Sequence, residues 1–74
     1  MSYLDRIESN PQVLLGKPVL KGTRISIELV LRKLSEGASE KELLEAYPGL
    51  VKEDILACLS YSAAVISKEE IIAV

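Results

Sequence analysis

SEKELLEAYPGLVKEDILACLSYSAA, residues Ser39 to Ala64, is the stretch whose reading decides the fold. Ser39 is followed three residues later by Glu42, a pair in which each side chain can bond the other's backbone at a helix start. Leu43, Leu44 and Tyr47 follow as the apolar side chains of that short helix. Pro48-Gly49 ends it sharply, because proline cannot continue the ladder and glycine accepts turn geometry. A longer helix is expected from about Lys52 to Ile66, with Ile55, Leu56, Leu59, Ala63 and Ile66 as its buried stripe. Glu53 and Asp54 lie in its first turn, where carboxylates complement the helix dipole.

Upstream, Ile27, Val30, Leu31 and Leu34 recur at i, i+3, i+4 and i+7 and predict one more amphipathic helix. Ser26 suits its N-cap and Gly37 its C-terminal stop. Glu28, Arg32, Lys33 and Glu36 occupy its polar face. Further back, Arg6 to Glu8 and Pro18 to Ile25 have short-strand character, and Lys21-Gly22 makes a tight turn. Downstream, SKEEIIAV (residues 67–74) has another Ser-x-x-Glu start at Ser67 and ends in Ile71, Ile72 and Val74. Periodicity does not choose between helix and strand there. The expectation is a single domain over residues 1–74. It is mainly α, a three-helix (helix-turn-helix) bundle over 26–66, with an N-terminal β/turn element at about 1–25 and an apolar tail at 67–74.

Three helices in this order are found in many DNA-binding domains, but any trihelical bundle shows the same order. The presumed recognition helix begins Lys52, Glu53, Asp54, and phosphates would repel two carboxylates aimed at a groove. A helical bundle without DNA explains that helix at least as well.

Seventy-four residues lie near the lower limit for a core without staples, yet 49% are hydrophobic and the mean hydropathy is positive. So short a chain cannot hide all that surface, and a homo-oligomer, a dimer or higher, or a permanent partner is expected. One Cys and no His exclude an intrachain disulfide and leave almost nothing to bind zinc. Cys58, between Ala57 and Leu59, is expected in the core. The chain does not begin with a basic segment plus an apolar block, and no apolar run approaches about 18 residues. A soluble cytoplasmic protein without a membrane partner is the expectation. The net charge of −2 hides a polarity. Residues 1–37 carry six Lys/Arg against four Asp/Glu, and residues 38–74 carry three against seven. Two faces with different partners, or ordinary solvated helices, would each produce this.

Lys17, Lys21 and Arg24 fall in LLGKPVLKGTRIS (Leu14 to Ser26), which superficially resembles a phosphate loop. The spacing G-x-x-x-x-G-K-[ST] is absent, and the chain has no room for the parallel sheet such a loop requires. Turn formers and core residues account for the glycines, Pro18, Val19, Leu20 and Ile25. They do not account for the three cations, which alternating side chains could turn towards a polyanion. Without His, a base near neutral pH would need a perturbed carboxylate or lysine. Ser60, Tyr61 and Ser62 have no base at a supportive spacing. No catalytic, cofactor-binding or metal-ligating residue is expected, and no enzyme.

Residues 7–64 resemble the bacterial and archaeal family known as domain of unknown function number 433. The resemblance rests on a G-K-P-[VI]-[IL]-K-G-T-R-[IV] block at Gly16 to Ile25, on Tyr47, Pro48 and Leu50, and on Glu53, Asp54 and Ile55. Val51 departs from the pattern, which has Thr or Ser there as an N-cap. The lost hydroxyl should cost on the order of 1 kcal/mol of helix stability. The resemblance implies a homeodomain-like fold. It also implies the role of a VapB-type antitoxin that binds a PIN-like ribonuclease encoded beside it and, in some members, its own operator DNA.

The leading expectation is therefore a non-enzymatic antitoxin-like binding protein. A homodimeric DNA-binding regulator without a toxin is the alternative, and a structural oligomer with merely solvated cations is a third reading. Lys17, Lys21, Arg24, Arg32, Lys33 and Lys52 are the candidate contacts to nucleic acid or a partner. Ile66, Ile71, Ile72 and Val74 are the candidate apolar contacts to a partner or a second copy.

Overall fold

The computed structural model describes residues 3–12 and 14–73, with side-chain environments for 5–12 and 14–67. A 3-10 turn (Tyr3–Arg6) leads into strand β1 (Ile7–Ser9), and a tight turn at Leu14–Gly16 leads into β2 (Pro18–Leu20). Three helices follow: α1 (Ile27–Ser35), α2 (Glu40–Ala46) and α3 (Lys52–Ala73). This is the small, mainly helical bundle with a short N-terminal β element that the sequence predicts.

The two strands pair antiparallel with Ile7 opposite Leu20, Glu8 opposite Val19 and Ser9 opposite Pro18. Strand character ends at Leu20, earlier than Ile25, because the chain turns a corner there. Thr23 N–H donates to the Leu20 carbonyl at 3.0 Å across Lys21-Gly22, and Gly22 takes φ +77°. A positive φ at the third residue is the type II pattern that glycine serves without strain. The Thr23 hydroxyl donates to the Leu20 carbonyl at 2.8 Å and accepts from Ile25 N–H at 3.0 Å. Glu8 accepts from Gly22 N–H at 3.1 Å and ties the corner to β1. The K-G-T-R block is thus a self-bonded turn that delivers Ile25 to the core and Ser26 to the cap of α1.

Each helix end follows from its sequence. Ser26 accepts from Leu29 N–H at 3.0 Å. At the other end of α1, Gly37 N–H donates to the Leu34 carbonyl and Ala38 N–H to the Lys33 carbonyl, both at 3.0 Å, with Gly37 at φ +99°. Those two bonds make a Schellman stop. Ser39 and Glu42 form the reciprocal box expected of them. At α3, Val51 brings no hydroxyl, but Asp54 reaches back to accept from Val51 N–H at 3.1 Å. Half of a capping box survives there, which offsets part of the missing cap.

Leu20, Ile27, Val30, Leu43, Leu50, Ile55 and Cys58 make the core, with Ile7, Ile25, Leu31, Leu34, Ala38, Leu44, Tyr47 and Tyr61 packed around it. Two expectations about α3 need correction. Residues 67–73 are not a separate tail: they continue α3 without a break to Ala73. The buried face is also different, since Asp54, Ile55, Ala57 and Cys58 are buried while Leu59, Ala63 and Ile66 are exposed. Apolar residues surround this helix, so its periodicity did not single out the face that meets the core.

Candidate functional site

Between α1 and α3 lies an open groove of about 610 Å³. Its floor and walls are Pro18, Ile27, Leu31, Tyr61, Val65 and Ile66, with Lys17, Glu28 and Arg32 along one edge. The groove exists because α1 turns Val30 fully into the core while Leu31, one position on, faces α3 half-buried. Beyond Tyr61, α3 outruns the rest of the fold, and Val65 and Ile66 remain 41% and 58% exposed.

Glu28 organises the edge. It accepts from Lys17 Nζ at 3.1 Å and from an Arg32 guanidinium N–H one turn along α1. The Lys17 bond, helped by the charges of Lys17 and Arg32, holds the Glu28 carboxyl below its ordinary pKa. On the far side of this trio is a second depression of about 440 Å³, shared by Leu14, Leu15, Ser26 and Leu29. Leu14 and Leu15 sit in the left-handed region at φ +48° and +57°, immediately before Gly16 at +85°. L-residues pay roughly 1 kcal/mol or more each for that geometry. Leu15 is 96% exposed, so its own core gains nothing from it. The backbone there holds an apolar side chain out in water at a conformational cost.

The predicted cations do not gather into one patch. Lys17 and Arg32 share Glu28, and Lys33 lies 4.0 Å from Glu36. Lys21 and Arg24 stand exposed on the Leu20–Ser26 corner, and Lys52 is exposed at the start of α3. None of these last three forms an ion pair among the described residues. Of the apolar candidates, Ile66 lines the groove. The side chains of Ile71 and Ile72, and Val74 entirely, lie outside the described residues.

The sequence does not announce the groove: Ile27 and Leu31 belong to the apolar stripe of α1 and do pack in or against the core, but they also line the groove, and nothing in the sequence marks Leu14 and Leu15. The Glu28–Arg32 spacing of i, i+4 was the available signal for the charged edge. The Arg6–Asp54 pair had no local signal. Arg6 Nη1 donates to Asp54 Oδ1 at 3.0 Å across 48 residues of sequence, which closes the first turn of the chain onto α3. Cys58 is fully buried, and burial, with the Asp54 carboxylate nearby, pushes its thiol up to about 11. Among the described residues no cluster of three or more His, Cys, Asp or Glu could hold a metal ion. No described helix is long and apolar enough to cross a membrane.

The family model described as "Protein of unknown function (DUF433)" matches residues 7–62. A crystal structure of a DUF433 member protein from Anabaena variabilis ATCC 29413 superposes with a TM-score of 0.79 at 33% identity. The match covers 93% of this chain and 69% of that one. The uncharacterized protein y4eO of Sinorhizobium fredii is 36% identical over 58 residues, 78% of this chain. This chain spans only 26% of that relative's length. With the corner block, the Tyr47-Pro48 stop and the Asp54 half-cap all in their places, the chain belongs to the DUF433 family.

Proposed function

We propose that the chain is a non-enzymatic, cytoplasmic binding protein of the antitoxin kind, and that its α1–α3 groove takes an apolar segment of a PIN-like ribonuclease and so neutralises it. The groove carries this reading. It is apolar along its floor, open enough to admit a helix or extended segment, and flanked by Leu14 and Leu15 held in strained backbone. Binding energy at such surfaces concentrates in a few apolar anchors ringed by polar groups, and the Lys17–Glu28–Arg32 trio supplies one side of that ring. The nuclease as partner comes from the family resemblance, and the acidic C-terminal half of the chain suits a basic partner.

The test is co-expression with the nuclease of the adjacent reading frame. Co-purification is expected, together with lost nuclease activity. Replacing Leu31 by Glu, which puts a charge on the groove wall, should release the nuclease. Recovery of only the free small protein from the wild-type pair would overturn the proposal.

Lys21 and Arg24, exposed on one corner and without an ion pair among the described residues, favour a second reading as a DNA-binding regulator. That reading requires promoter binding that weakens with salt and on replacing Lys21 or Arg24 by Ala. Absence of any shift at low salt removes it.

A further inference from the structure

The outer face of α3 bears a stripe that its own chain leaves uncovered. At 3.6 residues per turn, Lys52, Leu56, Leu59, Ala63, Ile66 and position 70 fall within a strip about 80° wide. This strip is opposite Ala57 and Cys58, which are buried, and Tyr61, which packs on the core. Leu56 is half-buried; Leu59, Ala63 and Ile66 are exposed. Residues 55–67 contain no charge at all, on any side of the helix. From Ala63 to Ser67 every residue is exposed, although α3 continues to Ala73. A helical extension of this length is marginal in water unless something packs against it.

We infer that this face is the seam of a homodimer in which α3 pairs antiparallel with α3 of a second copy. The charges at its ends specify both the partner and the direction. By helical register Lys52 stands at the N-terminal end of the stripe, and position 70, a glutamate, at its C-terminal end. A parallel pair would set Lys52 against Lys52 and position 70 against position 70. An antiparallel pair sets Lys52 against position 70 of the other copy at both ends. That register places Leu59 opposite Ala63 and Leu56 opposite Ile66, large against small at the centre. The arrangement repeats across a two-fold axis, as an isologous interface must. No like charge is buried, because the central stretch has none. The seam runs along the outer face of α3 and meets the α1–α3 groove at Ile66. It would also withdraw the outer face of α3 from any nucleic-acid groove.

Sedimentation equilibrium of the full chain tests this. The wild type should be a dimer at about 100 µM. Ala63 is exposed and Ala63→Glu keeps a good helix former, so it should leave helicity by circular dichroism unchanged while yielding a monomer at that concentration. Leu59→Glu should do the same. Lys52→Glu should weaken the dimer about tenfold, counting both symmetric ends. Reversing Glu70 to Lys in the same chain should restore it. For direction, a Leu59→Cys chain mixed with an Ala63→Cys chain should give the 59–63 disulfide under mild oxidation, Cys58 being buried. A monomeric wild type, a dimer that survives Ala63→Glu, a charge reversal that fails to rescue, or preferred 59–59 and 63–63 disulfides would each overturn the seam.

Discussion

Replacing Asp54 by Ala is the sharpest test of how the fold is fastened. Asp54 is 9% exposed. Its two oxygens serve different ends of the chain: Oδ2 accepts from Val51 N–H at 3.1 Å, and Oδ1 from Arg6 Nη1 at 3.0 Å. Losing a cap bond of this kind costs about 1 kcal/mol. The Arg6 bond is charge-assisted and long-range, but Arg6 is 44% exposed along its side chain, so solvent screens it and about 1 kcal/mol is a fair share. The sum is about 2 kcal/mol, out of roughly 4–11 kcal/mol for a chain of this length. At 4–8 °C per kcal/mol in so small a domain, Tm should fall by about 8–16 °C. Urea denaturation at one fixed protein concentration gives the free energy directly; concentration must be held because self-association would shift it. Arg6→Ala should cost about 1 kcal/mol, and the double variant less than the sum, since both remove the same bond. A loss below about 0.5 kcal/mol for Asp54→Ala, or strict additivity with Arg6→Ala, would refute the claim that this carboxylate joins the first turn of the chain to α3.

Three further outcomes follow from the site. Leu15→Asn should raise stability by up to about 1 kcal/mol, because asparagine tolerates the left-handed region and no core contact is lost; a fall in the denaturation midpoint would contradict this. Glu28 has a depressed pKa in the fold, so its share of stability is present above the ordinary carboxylate value of 4.5 and fades as pH drops through the lower folded value. Glu28→Gln should flatten the pH dependence of stability below about pH 4.5, and identical acid profiles for the two proteins would remove the Lys17–Glu28–Arg32 link. Cys58 runs the other way: its folded pKa is raised from 9.0 to about 11. The unfolded chain therefore releases that proton first, and stability falls between those two pH values. Cys58→Ser should lack this fall, and a thiol reagent should reach Cys58 only on unfolding.

Most of the scaffold was legible because it is set by local chemistry. The Ser26 cap, the Ser39–Glu42 box, the Gly37 stop and the Lys21-Gly22 turn each need only residues within a few positions of one another. Their side chains find the same partners whatever else the fold does. What the sequence did not disclose depends on distance or on competition. Arg6 meets Asp54 across most of the chain, and nothing near either residue announces it. Leu31 obeys the periodicity of α1, yet its outer half is groove wall, since the helix that would cover it leaves the core after Tyr61. Leu14 and Leu15 carry no warning of left-handed geometry; only Gly16 does, and it takes one residue of the three. The Ser67-x-x-Glu70 signal, by contrast, was read where no helix starts. A cap motif in the middle of a continuous helix has no orphan N–H to satisfy, and Ser67 simply continues α3.

The misassigned stripe of α3 is the informative failure. Leu56, Leu59, Ala63 and Ile66 have the spacing of a buried face, and the spacing is sound; what it lacks is a covering element within this chain. The core instead takes the side bearing Ile55, Ala57 and Cys58, small enough in its middle to let α3 approach the 3-10 turn at Tyr3–Arg6 and α1. A helix with two apolar faces, one against its own core and one against water, satisfies the hydrophobic effect only if the second face is covered in solution. The outer face has no charge from Ile55 to Ser67, whereas the exposed surface of α2 carries Glu40, Lys41 and Glu45. A helix evolved to stay in water would look like α2. That contrast within one small protein argues that the outer face of α3 is a contact surface, and that the excess of apolar residues in this sequence is located there and along the adjoining groove.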